Sequence, residues 1–189
     1  MKQTARYWLS GRLASRLARK TRAAWADQRG VAAIEFGVFV MLLAASLANI
    51  TDVSIYIYQR MQVENATEIA VQAALKTCAT SLPATTNCPN LLSAMQTAMQ
   101  STSLGNAVTF QNGSPTEGYY CVNASGALQY VSDVSSRPAD CTAAGMPALQ
   151  PGDYLQVQTT FTYRSIFPGL SVANTFPSPI NRLAMMRLG

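Results

Sequence analysis

The chain has 189 residues and a formal net charge of +5, but residues 1–30 carry eight basic residues and one acid, whereas residues 31–189 have a net charge of −2. A nucleic-acid-binding protein usually spreads its basic residues over a folded face, so this distribution predicts no nucleic-acid partner. The sequence contains no histidine, which removes the commonest general base and metal ligand, and it has no glycine-rich phosphate loop. We therefore expect a protein that is not an enzyme and binds no cofactor or metal.

The basic segment, residues 1–30, is predicted to be a cytoplasmic leader. Leu9, Leu13 and Leu17 are spaced four residues apart among arginines, which is typical of a basic amphipathic helix lying on anionic lipid. An unstructured, solvated targeting segment fits the same composition. The sequence leaves both interpretations open.

An apolar run follows at residues 31–50, with Glu35, Ser46 and Asn49 as its clearly polar residues. Twenty helical residues extend about 30 Å, the thickness of the hydrocarbon core of a bilayer. A helix buried in a soluble core is the alternative, but such a helix normally keeps one polar face. We predict a single transmembrane helix over residues 31–55. Because the basic segment precedes it, the positive-inside rule places the N-terminus in the cytoplasm and the rest in the periplasm.

The junction between leader and apolar run reads RGVAAIEF, residues 29–36. An acid inside a bilayer costs a few kcal/mol, so Glu35 is expected to have a partner and a function. If the chain were cut after Gly30, the new α-amino group of Val31 would lie one helical turn from Glu35 and could neutralise it, in the same subunit or in a neighbour. Gly30 would suit a protease that requires an extended backbone without a side chain.

This junction resembles the class-three signal of type IV prepilins, in which a basic leader ends in glycine and glutamate stands fifth in the mature chain. Together with a helix that continues past the membrane and a short β domain containing cysteines, it more closely resembles the TadE-like minor pseudopilins of the tight-adherence (Tad, Flp) pilus system. Phe36 stands where the major Flp pilins usually carry tyrosine.

The resemblance implies a structural role in initiating or assembling a pilus, with cleavage between Gly30 and Val31 by a prepilin peptidase. It gives Glu35 and Phe36 roles in processing and assembly. The implied partners are the inner membrane, the peptidase, other pilins or pseudopilins and the Tad assembly platform. The resemblance does not decide whether the chain stays in the membrane or enters the fibre.

Three other interpretations compete with this one. The first is an uncleaved, single-pass anchor that carries a periplasmic binding or adhesion module. The second is a secretory signal peptide cut before Asn49, although thirty residues is long for its charged region and an acid is unusual in its apolar core. The third, an enzyme acting at the membrane, has no residue pattern to support it. The N-terminal residue of the membrane-bound protein separates the first two from the pseudopilin.

Residues 51–77 lack proline and glycine and are rich in helix-forming residues, so the helix is predicted to continue past the membrane as part of a segment covering residues 56–103. Tyr56 and Tyr58 are expected at the lipid interface. A second short helix is predicted at residues 89–99. The stripe Val63, Ala66, Ala70 and Ala74 on the long helix could pack closely on a neighbouring helix or on the chain's own domain, and the domain is favoured. On the short helix, Leu92, Met95 and Met99 share one face and are expected in the core.

Residues 104–189 are predicted to form an antiparallel β domain, which makes the fold α+β with a sheet of four or five strands. The strongest signal is at residues 154–164, where Leu155, Val157, Thr159, Phe161 and Tyr163 alternate with polar residues. The other strands are predicted at residues 107–111, 119–123, 127–131 and 181–188, with residues 124–126 as a hairpin connection.

All four cysteines follow the apolar run, and none belongs to a CxxC pair. Without histidine, a zinc site would need all four thiolates, so disulfides in an oxidising periplasm are favoured. Four cysteines allow three connectivities. We predict Cys78–Cys88 and Cys121–Cys141, because each pair brackets a loop rich in turn-forming residues.

Overall fold

The computed structural model describes residues 28–111 and 113–189, so residues 1–27 of the predicted leader lie outside the described part. The predicted α+β architecture is confirmed: a long apolar helix precedes two short helices and a five-stranded antiparallel sheet. The described residues divide into two units, with the boundary between Ala48 and Asn49. The helices are α1 (Gln28–Cys78), α2 (Ala84–Asn87) and α3 (Leu91–Gln100), and the strands are β1 (Val108–Phe110), β2 (Thr116–Val122), β3 (Leu128–Asp133), β4 (Gly152–Phe161) and β5 (Ile180–Arg187).

The described part of the first unit, residues 28–48, consists of helix α1 alone. Every side chain from position 30 to position 47 is exposed. The helix is long and apolar enough to cross a membrane, and its most apolar stretch is not buried anywhere in the described chain. This exposure disfavours the buried-core alternative, because a core helix would be covered by other elements.

In the second unit, helix α1 packs on the sheet through its small residues. Val63, Ala66, Ala70 and Ala74 are completely buried, which confirms the predicted stripe. Short side chains let a helix backbone approach its neighbour closely, and this approach brings Thr67 against Thr159 of β4, with 2.6 Å between their hydroxyl oxygens. The Thr67 hydroxyl also lies 2.7 Å from the Val63 carbonyl, to which it donates. Thr159 therefore donates to Thr67, and both buried hydroxyls are satisfied.

Strand β4 is the centre of the sheet. Along one edge it pairs with β5 over its whole described register, from Tyr154↔Arg187 to Phe161↔Ile180. Its other edge is shared, because β2 pairs with the first half of β4 and β1 with the second half. Strand β3 pairs with the outer edge of β2.

The alternation predicted for β4 is confirmed. Leu155, Val157, Thr159 and Phe161 are buried against the helices, while the residues between them are only partly buried. The strand begins two residues earlier than predicted and ends at Phe161, yet Tyr163 beyond its end is also buried. The other four strands were placed correctly to within about three residues at each end.

Helix α3 confirms one part of its prediction and corrects another. Met95 and Met99 are core residues, with 0% and 1% of their surface exposed. Leu92, however, is 52% exposed, and Leu91 (4%) takes its place in the core. The reason is the helical period, since positions 91, 95 and 99 follow one face at spacings of four. Helix α2 was not predicted.

The two disulfides join the cysteines as predicted. Cys78–Cys88 connects the end of α1 to the residue after α2, and Cys121–Cys141 connects β2 to the loop before β4, each with its Cα atoms 5.7 Å apart. Cys121 and Cys141 are buried with Ala144 in a small cluster separate from the main core. In the chain-entropy account, closing loops of 10 and 20 residues contributes about 3 kcal/mol each.

Candidate functional site

The predicted cleavage junction lies at the described start of helix α1. Gly30 and Val31 are helical, so a protease that binds an extended backbone would have to unwind the helix at this bond. A Cβ added at Gly30 would meet no atom within 4 Å. The described fold would therefore accept a larger residue at this position.

The side chains around the junction are presented outward. Val31 is 56% exposed, Ile34 70% and Phe36 69%, and Glu35 is exposed as well. Val31 and Glu35 are four residues apart in a continuous helix, a spacing that puts them on the same face about 5–6 Å apart at Cβ. The geometry thus brings the predicted new N-terminus and the acid one turn from each other.

The three polar residues of the apolar run differ in how they are satisfied. The Ser46 hydroxyl donates to the Leu42 carbonyl at 2.9 Å, within its own helix. The Asn49 amide bonds to the backbone of the loop before β5. Glu35 makes no hydrogen bond or ion pair with any residue that the structure describes. A carboxylate in an otherwise apolar, exposed stretch therefore needs a partner from elsewhere.

A second polar cluster, which the sequence analysis did not predict, closes the end of the apolar run. Asp52 is completely buried, and its carboxylate accepts the N–H groups of Ile166 at 3.0 Å and Phe167 at 3.2 Å. Asn49 accepts the Val172 N–H at 2.8 Å and donates to the Leu170 carbonyl at 3.2 Å. The sequence carried one signal of this cluster, because Asn49 and Asp52 lie one turn apart on the predicted helix. Polar residues at exposed positions of a helix need no partner, however, so this spacing alone did not predict burial.

Tyr56 is not at a lipid interface, which corrects the prediction. It is 7% exposed, and its ring lies 5.0 Å from that of Tyr163 and 4.8 Å from that of Phe176. Its hydroxyl donates to the Pro177 carbonyl at 3.2 Å. The tyrosine was misassigned because an aromatic next to an apolar run packs equally well on protein and on lipid. Tyr58 is 55% exposed, as an interfacial residue would be.

A groove of about 530 Å³ runs between α1 and the segment leading into β5. Its walls are mainly apolar, formed by Tyr56, Ile57 and Pro179 among others, and Arg60 and Arg182 also line it. The guanidinium of Arg182 is 3.6 Å from the Glu64 carboxylate. The groove can hold an apolar group with a nearby cationic contact.

The described residues contain no group of three or more His, Cys, Asp or Glu side chains that could hold a metal ion. All four cysteines are in disulfides, so none of them offers the thiolate that a zinc site would need. Comparison with protein-family models, with characterised proteins and with solved structures gives no match for this chain.

Two acids of the domain, Glu117 and Asp153, lie close together. Glu117 accepts the N–H groups of Ala84 at 2.7 Å and Thr85 at 2.6 Å, and so caps helix α2. Asp153, on the neighbouring strand, is 6% exposed. Its burial, followed by the charge of Glu117, raises the pKa of the Asp153 carboxyl to about 6, although Arg137 acts in the opposite direction.

Replacing Asp153 with asparagine is expected to stabilise the domain at pH 7. The folded protein holds the Asp153 proton to about pH 6, while the unfolded chain releases it near pH 3.8, so the folded state binds more protons between these values and loses stability as the pH rises. Asp153→Asn should remove that loss, a gain of about 1 kcal/mol at pH 7 after solvent screening. Thermal unfolding of the detergent-solubilised chain, followed by the tyrosine near-UV circular dichroism, measures it.

Asp140→Asn is the matched control with the opposite sign. The hydroxyl and N–H groups of Thr142 donate to the Asp140 carboxylate, which lowers the pKa of that carboxyl. Its contribution is therefore present at neutral pH and is lost as the pH falls through the depressed pKa. Asp140→Asn should destabilise at pH 7. Equal effects of the two substitutions would contradict the assignment of Asp153.

Proposed function

We propose that this chain is a TadE-like minor pseudopilin, a structural component that initiates or assembles a Tad/Flp-type pilus. In this proposal residues 31–50 anchor it in the inner membrane, with the N-terminus cytoplasmic and the disulfide-bonded domain periplasmic. A prepilin peptidase cuts between Gly30 and Val31. The processed chain then meets other pilins or pseudopilins at the Tad assembly platform.

The observation that carries the proposal is the arrangement around Glu35. It is the polar residue of the apolar run that makes no hydrogen bond or ion pair with the side chains and backbone that the structure describes, whereas Ser46 and Asn49 have their own partners. It also lies one turn from Val31 in the exposed apolar part of α1, residues 30–47. Cleavage after Gly30 would create an amine at the distance where this carboxylate needs one, and subunit packing would bury the pair.

The second unit supports the location assigned to it. Two disulfides lie in the part of the chain that follows the apolar helix, and disulfides persist in oxidising compartments such as the periplasm. The helix of the predicted anchor continues along the chain into this domain. This arrangement suits a subunit that is positioned by packing of its N-terminal helix.

An uncleaved anchor with a periplasmic binding or adhesion module is the second candidate. The groove between α1 and the segment before β5 favours it, because a mainly apolar cleft that is also lined by two arginines has the character of a ligand site. In that case the Gly30–Val31 bond stays intact and the leader remains part of the mature protein.

N-terminal analysis of the membrane-bound protein from its native host tests the proposal. We expect mature chains to begin at Val31, with the thirty leader residues and their net charge of +7 removed. An intact start at Met1 would indicate the anchored module. A start at Asn49 would indicate a secretory signal. Either of these results contradicts the pseudopilin proposal.

A further inference from the structure

The loop that follows β4 presents a cluster of large apolar side chains. We define this loop as residues 164–172. The sequence from position 165 to position 181 contains no charged residue. Its exposed apolar residues are Ile166 (56%), Phe167 (38%), Leu170 (70%) and Val172 (55%). Soluble surfaces rarely keep such a contiguous group uncovered unless it contacts a partner or a membrane.

The tip of the 164–172 loop is an ordered turn. The Leu170 N–H donates to the Phe167 carbonyl at 3.2 Å. Pro168 and Gly169 occupy the two central positions, with φ of +84° at Gly169, which is the residue pattern of a type II turn. Phe167 and Leu170 flank the turn, and the Leu170 side chain is largely exposed.

The loop is fastened to helix α1 at the end of the apolar run. Both sides of the turn bond to the helix, residues 166 and 167 to the Asp52 carboxylate and residues 170 and 172 to the Asn49 amide. Asn49 directly follows the last residue of the first unit along the chain. Since a helix rises 1.5 Å per residue, the loop is held within one turn of the point where the apolar run ends.

These bonds also hide the helix's own polar groups. The Asn49 amide and the buried Asp52 carboxylate are occupied by loop backbone, and the surface offered in their place is apolar. Ile50, between them, is 62% exposed. Arg164 at the start of the loop is exposed too, and a long cationic side chain beside apolar ones is suited to reach lipid phosphates.

We propose that the 164–172 loop is a second membrane contact, in which Ile166, Phe167, Leu170 and Val172 enter the interfacial layer of the bilayer next to the apolar helix. The loop would then fix the orientation of the domain relative to the membrane surface. This inference requires only that residues 31–50 cross a bilayer. It is independent of cleavage and of any role in a pilus.

Tryptophan fluorescence of the full chain in vesicles tests the inference. The two natural tryptophans, Trp8 and Trp25, are replaced by phenylalanine, and a single tryptophan is introduced as Leu170→Trp. Leu92→Trp is the matched control, because Leu92 is 52% exposed and follows Cys88, which is bonded to the far end of α1, about 40 Å along the helix from Asp52. The vesicles contain phosphatidylethanolamine and phosphatidylglycerol, with or without lipid brominated near the headgroup.

The expected result is severalfold stronger quenching by brominated lipid at position 170 than at position 92, and weaker quenching by aqueous acrylamide. Equal acrylamide access at both positions, with no effect of the bromine, would overturn the proposal. Protection of position 170 from acrylamide without quenching by brominated lipid, lost on diluting the protein in lipid, would show that a second copy of the chain covers the loop. That result would also overturn the proposal.

Discussion

Substituting Gly30 with leucine is expected to abolish processing and leave the chain in the membrane at its full length. The fold itself does not require glycine at this position, because a side chain there would meet open space. Leucine also favours helix over glycine by about 1 kcal/mol, so it opposes the unwinding that cleavage of a helical bond needs. The added side chain and the added helix stability therefore act on the peptidase reaction and not on the fold. An immunoblot that separates the precursor from the shorter mature form measures the outcome.

Gly37→Leu provides the matched control. Gly37 lies two turns further along the same helix, and a Cβ there would also meet nothing within 4 Å. The two substitutions therefore add the same side chain, raise helix stability equally and increase apolar surface equally. We expect the Gly37 variant to be processed as the wild type is. Normal processing of the Gly30 variant, or a block in both, would refute cleavage at Gly30.

Local periodicity was sufficient to predict most of the fold. The buried stripe of α1 repeats at helical spacing and alternating β4 residues repeat at spacings of two, and each pattern records which side of its element faces the core. Both patterns predict burial without knowledge of the element that packs on them, because Ala66 and Leu155 need only an apolar neighbour. The disulfide pairing was predictable for a similar reason, since each bond closes a short loop rich in turn residues.

The parts that could not be predicted depend on contacts between distant residues. The loop residue Ile166 is 114 positions from Asp52, and nothing near Asp52 in the sequence indicates that it is buried. The prediction for Tyr56 was wrong for the same reason, because its partners Tyr163 and Phe176 come from the far end of the chain. The candidate site divides in the same way: the Gly30–Glu35 spacing is local and predictable, whereas the Asn49 and Asp52 contacts are tertiary.

Glu35→Leu is expected to be exported and processed normally while pilus formation falls. Removing an acid from the apolar run makes insertion easier, since an intramembrane carboxylate costs a few kcal/mol. Cleavage would still occur at Gly30, five positions earlier. After cleavage, however, the α-amino group of Val31 would have no carboxylate one turn away, and burying an unpaired charge between packed helices costs a few kcal/mol per subunit. An immunoblot for the processed form and a pilus count from the same strain measure the two effects separately.

Ser46→Leu is the control for added apolarity, because it also replaces a polar residue of the run by leucine. The Ser46 hydroxyl already bonds to the Leu42 carbonyl of its own helix, so its loss leaves no partner unsatisfied, and we expect pili at the wild-type level. Glu35→Gln should resemble Glu35→Leu, because an amide keeps the size and polarity of the side chain but not its charge. Wild-type piliation in both Glu35 variants would show that the carboxylate is incidental to assembly. An unprocessed Glu35→Leu chain would instead assign Glu35 to recognition by the peptidase, since the leader and Gly30 are unchanged in that variant.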